Sequence, residues 1–302
     1  VAQAPAVLPP FKGSALRGAF GHALKRAVCV MPGRSECGGC PLVGACVYTR
    51  LFETFLDAGP PPPFLAGVVT APRPFVFECA DGQSELAAGA TLEFDLVLVG
   101  RAVELQAFAV LAVEDMALQG LGAGRHEFRL ERVVVVDALG RTRDAGYRPD
   151  GPWQLAPPAP VPPSTNGLPP DRLAIELVTP LRIESGGQLR DRLAPRELVL
   201  KMLQRVLLLT HFFGDRERID WAFRPLLDHA SGLEVEAARL RWQPLTRYSN
   251  RQGRKIAQGG LVGELILTGD LAPLHALFRA AEVFHIGKGA TFGLGQVALG
   301  AE

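Results

Sequence analysis

The sequence has no excess of charge of one sign, no apolar run long enough to cross a bilayer, and no basic-then-apolar leader at its start. Its 32 Lys and Arg against 31 Asp and Glu leave a formal charge of +1. That balance excludes a globally basic nucleic-acid binder and moves the search to local patches. The longest apolar stretches, such as Leu203 to Phe213, are interrupted or too short for a membrane span. The chain therefore reads as a soluble, cytoplasmic protein with no membrane partner. It opens at Val1 without a Met, directly in a proline-containing stretch, so residues upstream of Val1 are expected.

A length of 302 residues at 48% hydrophobic composition is enough for two ordinary domains, each with its own core. Nine prolines between Pro149 and Pro170 forbid helix and discourage sheet, which makes residues 148–171 an extended, semi-stiff linker. On either side lie an N-terminal domain, 1–147, and a C-terminal domain, 172–302. In the second, the patterns predict a strand over Leu173 to Ile183 and a helix over Pro195 to Phe213. Strands follow over Ala238 to Tyr248 and Gly260 to Leu267, joined by a turn from Asn250 to Gly259. A helix over Ala272 to Phe284 capped by Asp270, and a last strand over Leu294 to Leu299, complete the unit. This β-α-β-β-α-β order is the ferredoxin-like unit that RNA-binding modules use. The first domain gives helix Ser14 to Cys29, strands near Phe75 to Cys79 and Thr91 to Gly100, helix Glu104 to Gln119 and strand His126 to Asp137. That is the same unit without its first strand, which would fall upstream of Val1 or in the first few residues. The fold class is α+β: two tandem ferredoxin-like (RRM-like) domains.

Two local runs are basic. Arg239, Arg241, Arg247, Arg251, Arg254 and Lys255 occur without an intervening acid, and Phe11 to Arg50 has six cations against the single acid Glu36. A solvated face explains either run alone. Near the C-terminus, Gly287, Gly289, Gly293 and Gly295 surround Lys288 between a helix and a strand. Such a loop can adopt positive φ and bring backbone N–H groups to an anion, although a helix cap followed by a turn uses glycine in the same way. His285 precedes it, where a helix C-terminus favours the charged imidazole. His22 sits on the first helix beside a stripe of Arg17, Gly21 and Lys25, with Arg26 one turn away. His211, inside an apolar helix, reads as structural. Tyr248 could stack on a base, while Arg247, Arg251 and Lys255 could pair with phosphate.

Cys29, Cys37, Cys40 and Cys46 form a compact set with a Cys-x2-Cys knuckle at Cys37 and Cys40, within a small insertion over residues 29–46. Structural zinc is the reading adopted, and an iron–sulfur cluster, two disulfides or unligated thiols also fit the spacing. Cys79 reads as a small core residue.

Leu16 to Leu24 with its Arg-Gly-Ala-Phe-Gly-His core, the cysteine knuckle leading to Tyr48 and Leu51-Phe52-Glu53, Arg247 to Gln252, and His285 to Gly289 together resemble one family. It is that of the CRISPR precursor-RNA processing endoribonucleases of the RAMP superfamily, of the type with a glycine-rich loop and a four-cysteine insertion. The resemblance spans nearly the whole chain. It implies a glycine-rich loop that grips CRISPR repeat RNA, and cleavage without a metal cofactor within the repeat, by 2′-hydroxyl attack. It carries proton transfer over to His22, while other members rely on different Tyr, Lys or Arg residues; the principal reading of this sequence adds His285 or Tyr248 as the proton partner and Lys288, Arg17 and Arg251 as stabilisers of the phosphorane. Other CRISPR effector subunits are further possible partners. The alternatives are a non-catalytic RNA-binding subunit of such an effector and, ranked last, a metal-stabilised interaction scaffold.

Overall fold

The computed structural model describes residues 1–34, 36–55, 71–136, 142–147, 151, 167–215, 219, 223–249 and 253–300. The chain divides into two compact units, residues 1–161 with 212–214, and 162–211 with 215–302. Most of the proline-rich linker, together with Asn250, Arg251 and Gln252, lies outside the described residues. No described helix is long and apolar enough to cross a membrane.

In the N-terminal unit, strand β1 (Ala6–Val7) precedes helix α1 (Gly13–Val28). β1 pairs with β3 (Glu85–Leu86), and Ala2 bridges Phe128. The first strand expected from the element order is thus present, in short form, at the very start of the chain. Lys12 anchors the beginning of α1. It is 1% exposed, and its Nζ donates to the Asp81 and Gln83 carbonyls at 2.6 and 2.7 Å, with the Asp81 carboxylate 3.5 Å away. Helical spacing turns Leu16, Phe20, Ala23 and Leu24 inward. Strand alternation does the same for Phe75 and Phe77 of β2 (Phe75–Glu78). Phe20 meets both rings edge-on at 5.5 and 5.3 Å, a favourable aromatic geometry. Helix α2 (Gln106–Gln119) closes the core with Ala109, Ala112, Val113 and Met116. The long strand expected over His126 to Asp137 is reduced to bridges at His126 and Phe128 and to β5 (Val133–Val136), which pairs with β6 (Thr142–Tyr147).

β2 pairs with β4 (Asp95–Leu98) so that Glu78 lies opposite Asp95. Loss of hydration, then Glu78 and Glu93, raise the Asp95 carboxyl above its ordinary range. A raised acid is a cost while it is ionised, and the cost vanishes as pH falls through the folded-state value. Asp95→Asn is therefore expected to raise stability at neutral pH by about 0.2–1 kcal/mol. Urea midpoints of the two proteins should converge in acid, and a gain that persists there would refute the assignment.

The C-terminal unit is a four-stranded antiparallel sheet in the order β10 (Glu234–Gln243), β13 (Gly260–Thr268), β7 (Arg172–Leu181), β14 (Val297–Gly300). First and third strands at the centre, flanked by fourth and second, are the ferredoxin-like arrangement. Leu173, Ile175 and Leu177 of β7 and Leu265 and Leu267 of β13 share one core with α3 (Pro195–Phe213) and α5 (His275–Phe284). Leu198 and Met202 are one turn apart on α3, and Phe278 and Ala281 face inward from α5. Two short strands, β8 (Glu184–Ser185) and β9 (Gln188–Leu189), and helix α4 (Arg224–Ala230) are added to this plan.

Two expectations are corrected here. The single strand over Ala238 to Tyr248 is two: β10 ends at Gln243, and β11 (Thr246–Ser249) starts beyond Pro244, which has no N–H for a ladder. β11 pairs with β12 (Arg254–Ala257), so the expected turn is a separate hairpin. Asp270 does not cap α5. A 3₁₀ turn at Ala272–Leu274 intervenes, and the Asp270 carbonyl instead accepts from His229 Nε2 at 2.6 Å.

Candidate nucleic-acid interface

In the N-terminal unit the stripe Arg17, Gly21 and Lys25 forms as expected but is covered. The Phe52 ring lies against Gly21 so closely that a Cβ there would come within 2.3 Å of it. The Arg17 guanidinium stands 4.6 Å from the same ring, and Tyr48 stacks on Phe52 at 5.4 Å. Lys25 is 5.7 Å from the Tyr48 ring and donates to the Arg34 carbonyl at 3.2 Å. Arg73 closes the assembly, its Nε donating to the Phe52 carbonyl at 2.8 Å. Burial, then Glu53, which accepts from the Tyr48 hydroxyl, pushes the Tyr48 phenol well above its ordinary value. Arg17 and Lys25 therefore serve first to seat the residues that follow the cysteine segment. Sequence periodicity finds the stripe but not its cover.

The neighbouring stripe, Gly18, His22 and Arg26, is the open one. His22 is exposed, and a Cβ at Gly18 would meet nothing within 4 Å. Arg26 donates twice to Asp115 of α2, at 3.0 and 2.6 Å, which braces α1 one turn beyond His22. The imidazole thus stands on a helix fixed by Phe52 on one side and by Asp115 on another. Gly21→Ala is expected to cost about 1–3 kcal/mol, because the added methyl must displace a packed ring. In a Phe52→Ala background the same change should be close to neutral in thermal unfolding. An equal cost in both backgrounds would show that Gly21 is not there to admit Phe52.

In the C-terminal unit the glycine-rich loop is folded tightly on itself. Gly287, Gly289, Gly293 and Gly295 all have positive φ, between 69° and 88°. A Cβ would strike the Arg182 carbonyl oxygen at Gly287 and the Ile286 carbonyl oxygen at Gly295, at 2.5 and 1.8 Å. The backbone N–H groups of Lys288, Phe292, Gly293 and Gly295 donate to the Arg182, Gly289, Ala290 and Pro180 carbonyls. The glycines are thus demanded by the loop's own packing, and the expected open row of N–H donors is only partly available. Lys288 extends outward and pairs with Glu184.

His285 is corrected from its expected role. It is 0% exposed, holds φ 55°, and its Nδ1 lies 3.2 Å from the Leu294 carbonyl. Enclosed in this way it is a latch between α5 and the far end of the loop, out of reach of a substrate proton.

The β11–β12 hairpin joins this loop through Arg247, whose guanidinium lies 5.0 Å from the Phe292 ring. Tyr248 stands directly opposite Lys255, so both project from the other face, and Tyr248 is 59% exposed. Arg182, which sequence reasoning missed, ties the parts together. Its Nη1 donates to the Ala257 carbonyl at 3.1 Å, and its own carbonyl accepts from Lys288 at 2.9 Å. Burial lowers both the Arg182 and the Arg247 values. Arg205 was missed as well: it donates to the Phe284 carbonyl at the end of α5, and burial lowers it to about 10. Nothing but their charge marks either residue in the sequence.

Cys29, Cys37, Cys40 and Cys46 line one cavity with Lys25 and Tyr48. Burial raises the Cys37 thiol, Lys25 opposes the rise, and Glu53, Cys46 and Cys29 add to it. All are free thiols, and among the described residues no three Cys, His, Asp or Glu side chains are drawn to metal-ligand spacing. The four cysteines thus stand as thiols bordering a common space. Cys79 is half-buried, with Sγ 3.4 Å from the Glu93 carbonyl.

Residues 175–297 match the family model of the CRISPR-associated endoribonuclease Cas6, and residues 1–150 match a model described as an N-terminal domain. No curated protein matches the chain significantly. Among solved structures, a Thermus thermophilus Cas6 product complex aligns over 99% of this chain and 100% of its own, with a TM-score of 0.55 and 19% identity. A second Cas6 product complex aligns over 98% and 97%, with a TM-score of 0.50 and 17% identity. The likeness is one of fold, and it extends the tandem ferredoxin-like plan across both units. Residues 175–297 thus bear the sequence pattern of the CRISPR-associated endoribonuclease Cas6 family, and the chain as a whole has the fold of solved Cas6 proteins.

Proposed function

We propose that this protein cleaves CRISPR precursor RNA within the repeat, by attack of a ribose 2′-hydroxyl on the adjacent phosphate. The observation that carries the reading is His22, an exposed imidazole on a helix braced from two sides, in a chain whose C-terminal unit matches an endoribonuclease family. The reaction moves one proton from the 2′-oxygen to a base and delivers one to the departing 5′-oxygen from an acid. The products are a 2′,3′-cyclic phosphate and a 5′-hydroxyl. His22 takes one of these roles. Cations offset the charge of the phosphorane. Lys288 and the hairpin residues Arg247 and Lys255 are the candidate cations of the C-terminal unit. Arg251 is assigned with the hairpin by sequence alone.

Incubation with end-labelled repeat RNA in excess EDTA tests this reading. Cleavage with a cyclic-phosphate end, abolished by a 2′-deoxy substitution at the scissile ribose, is the expected result. Tight binding without cleavage would establish the non-catalytic RNA-binding alternative instead.

Tyr248→Ala should weaken binding of single-stranded repeat by about 1–3 kcal/mol, the range for loss of a base stack on an aromatic ring. Lys255→Ala should instead flatten the salt dependence of binding, its slope falling by about 0.7 for a single-stranded contact. Salt titrations of both variants separate stacking from phosphate contact, and unchanged affinity for Tyr248→Ala would rule out a base stack on its ring.

A further inference from the structure

Among the described residues from 29 to 47, no side chain is buried. Ordering backbone costs on the order of 1–2 kcal/mol per residue, and only Cys37, Cys46 and Val47, each partly buried against the core, offset that here. What it has is a chain of short turns, with Arg34 N–H on Met31, Cys40 N–H on Cys37, Val43 N–H on Cys40 and Cys46 N–H on Leu42. Gly39 adopts φ 71°, which closes the Cys37-Gly38-Gly39-Cys40 turn on itself. The segment also holds four of the five cysteines, all facing one cavity.

We propose that Cys29, Cys37, Cys40 and Cys46 bind a single structural zinc ion that pins the cysteine segment to helix α1. Soft thiolates in a Cys-x2-Cys knuckle plus two further cysteines are the donor set of structural zinc sites. No buried side chain of the segment resists drawing the sulfurs onto an ion. Four soft donors also supply the cross-link that a segment with so little buried apolar surface needs, since zinc binding to thiolates contributes directly to folding.

The position of the ligands gives the ion a further consequence. Cys29 is the residue at which α1 ends, and Cys46 lies two residues before Tyr48, which stacks on Phe52. A bond through zinc therefore joins the end of α1 to the residues that cover Gly21. The metal acts as a positioning element for the helix that carries His22, remote from the phosphate chemistry.

The full chain, purified under reducing conditions and without added metal, should contain about one zinc ion by elemental analysis. Four thiols should resist a thiol reagent until a strong chelator is added, leaving Cys79 to react alone. Cobalt exchange should give the charge-transfer and ligand-field bands of a tetrahedral tetrathiolate. Cys37→Ser combined with Cys46→Ser should lose the metal, whereas Cys79→Ser should retain it. A metal-free chain in which all five thiols titrate, two disulfides by mass spectrometry, or iron with sulfide would each overturn the proposal. No readout involves RNA, so a zinc-free protein that cleaves RNA would sink this inference alone, and an inactive zinc protein would sink only the nuclease reading.

Discussion

Replacing His22 with alanine is expected to slow repeat cleavage by about 10²–10⁴-fold, the range for losing a positioned general acid or base. RNA affinity should change little. Leu16, Phe20, Ala23 and Leu24 bury one face of α1, and Phe52 covers a second at Gly21. Asp115 fixes Arg26 near a third. His22 occupies the face that remains, with only hydrogen at Gly18 one turn before it. An imidazole carried on so constrained a backbone keeps its place as substrate changes, which is what proton transfer in a short-lived transition state needs. His22→Ala removes no packing, so the fold should be unaffected and the loss should fall on the rate of the bound complex. Single-turnover cleavage at saturating protein measures that rate directly. A drop confined to affinity, with the bound rate intact, would make His22 a phosphate contact and pass the proton chemistry to another residue.

How much of this was legible in the sequence depends on whether the cause was local. Helix α3 was read to the residue, Pro195 to Phe213, because its inward positions repeat at helical spacing behind an N-terminal proline. The glycine-rich loop was legible as a loop, since positive φ at four positions selects glycine. Its purpose was less so. The oxygens that exclude a Cβ belong to Arg182, just past the neighbouring strand β7 but distant in sequence, and to Ile286 ahead of the loop, and no linear pattern records such approaches. His285 shows the same limit: its place after a helix suggested a charged, accessible imidazole, while the turn of φ to 55° carries the ring inward. Gly21 gave a fair warning. A glycine inside a helix costs about 1 kcal/mol relative to alanine, which asks for a compensating contact, and that contact proved to be Phe52. Arg182 gave none, because a single arginine just past a strand looks like any other surface cation.

The second large effect is expected at Gly295, where alanine should destabilise the C-terminal unit by about 3 kcal/mol or more. Two costs combine there: about 1–2 kcal/mol for holding a non-glycine residue left-handed, and about 1–3 kcal/mol for forcing extra volume into packed structure. The second is severe because the obstacle is a backbone oxygen, that of Ile286, 1.8 Å from the new Cβ. Retreat of that oxygen is opposed by the local pairing. Ile286 N–H donates to the Gly295 carbonyl at 3.0 Å, Gly295 N–H donates to Pro180 at 3.2 Å, and both Ile286 and Leu294 are fully buried. The substitution therefore separates two explanations of the glycines. If they serve only to bring backbone close to RNA, Gly295→Ala will unfold at the wild-type urea midpoint and lose affinity alone. If they serve the loop's closure on β7, stability falls first and RNA binding is lost with it. Gly18→Ala provides the contrast, because its helical backbone and open surroundings predict a gain of about 0.5–1 kcal/mol. With the fold strengthened at Gly18, any fall in cleavage in that variant must come from the methyl beside His22, and would mark the surface over which the RNA passes.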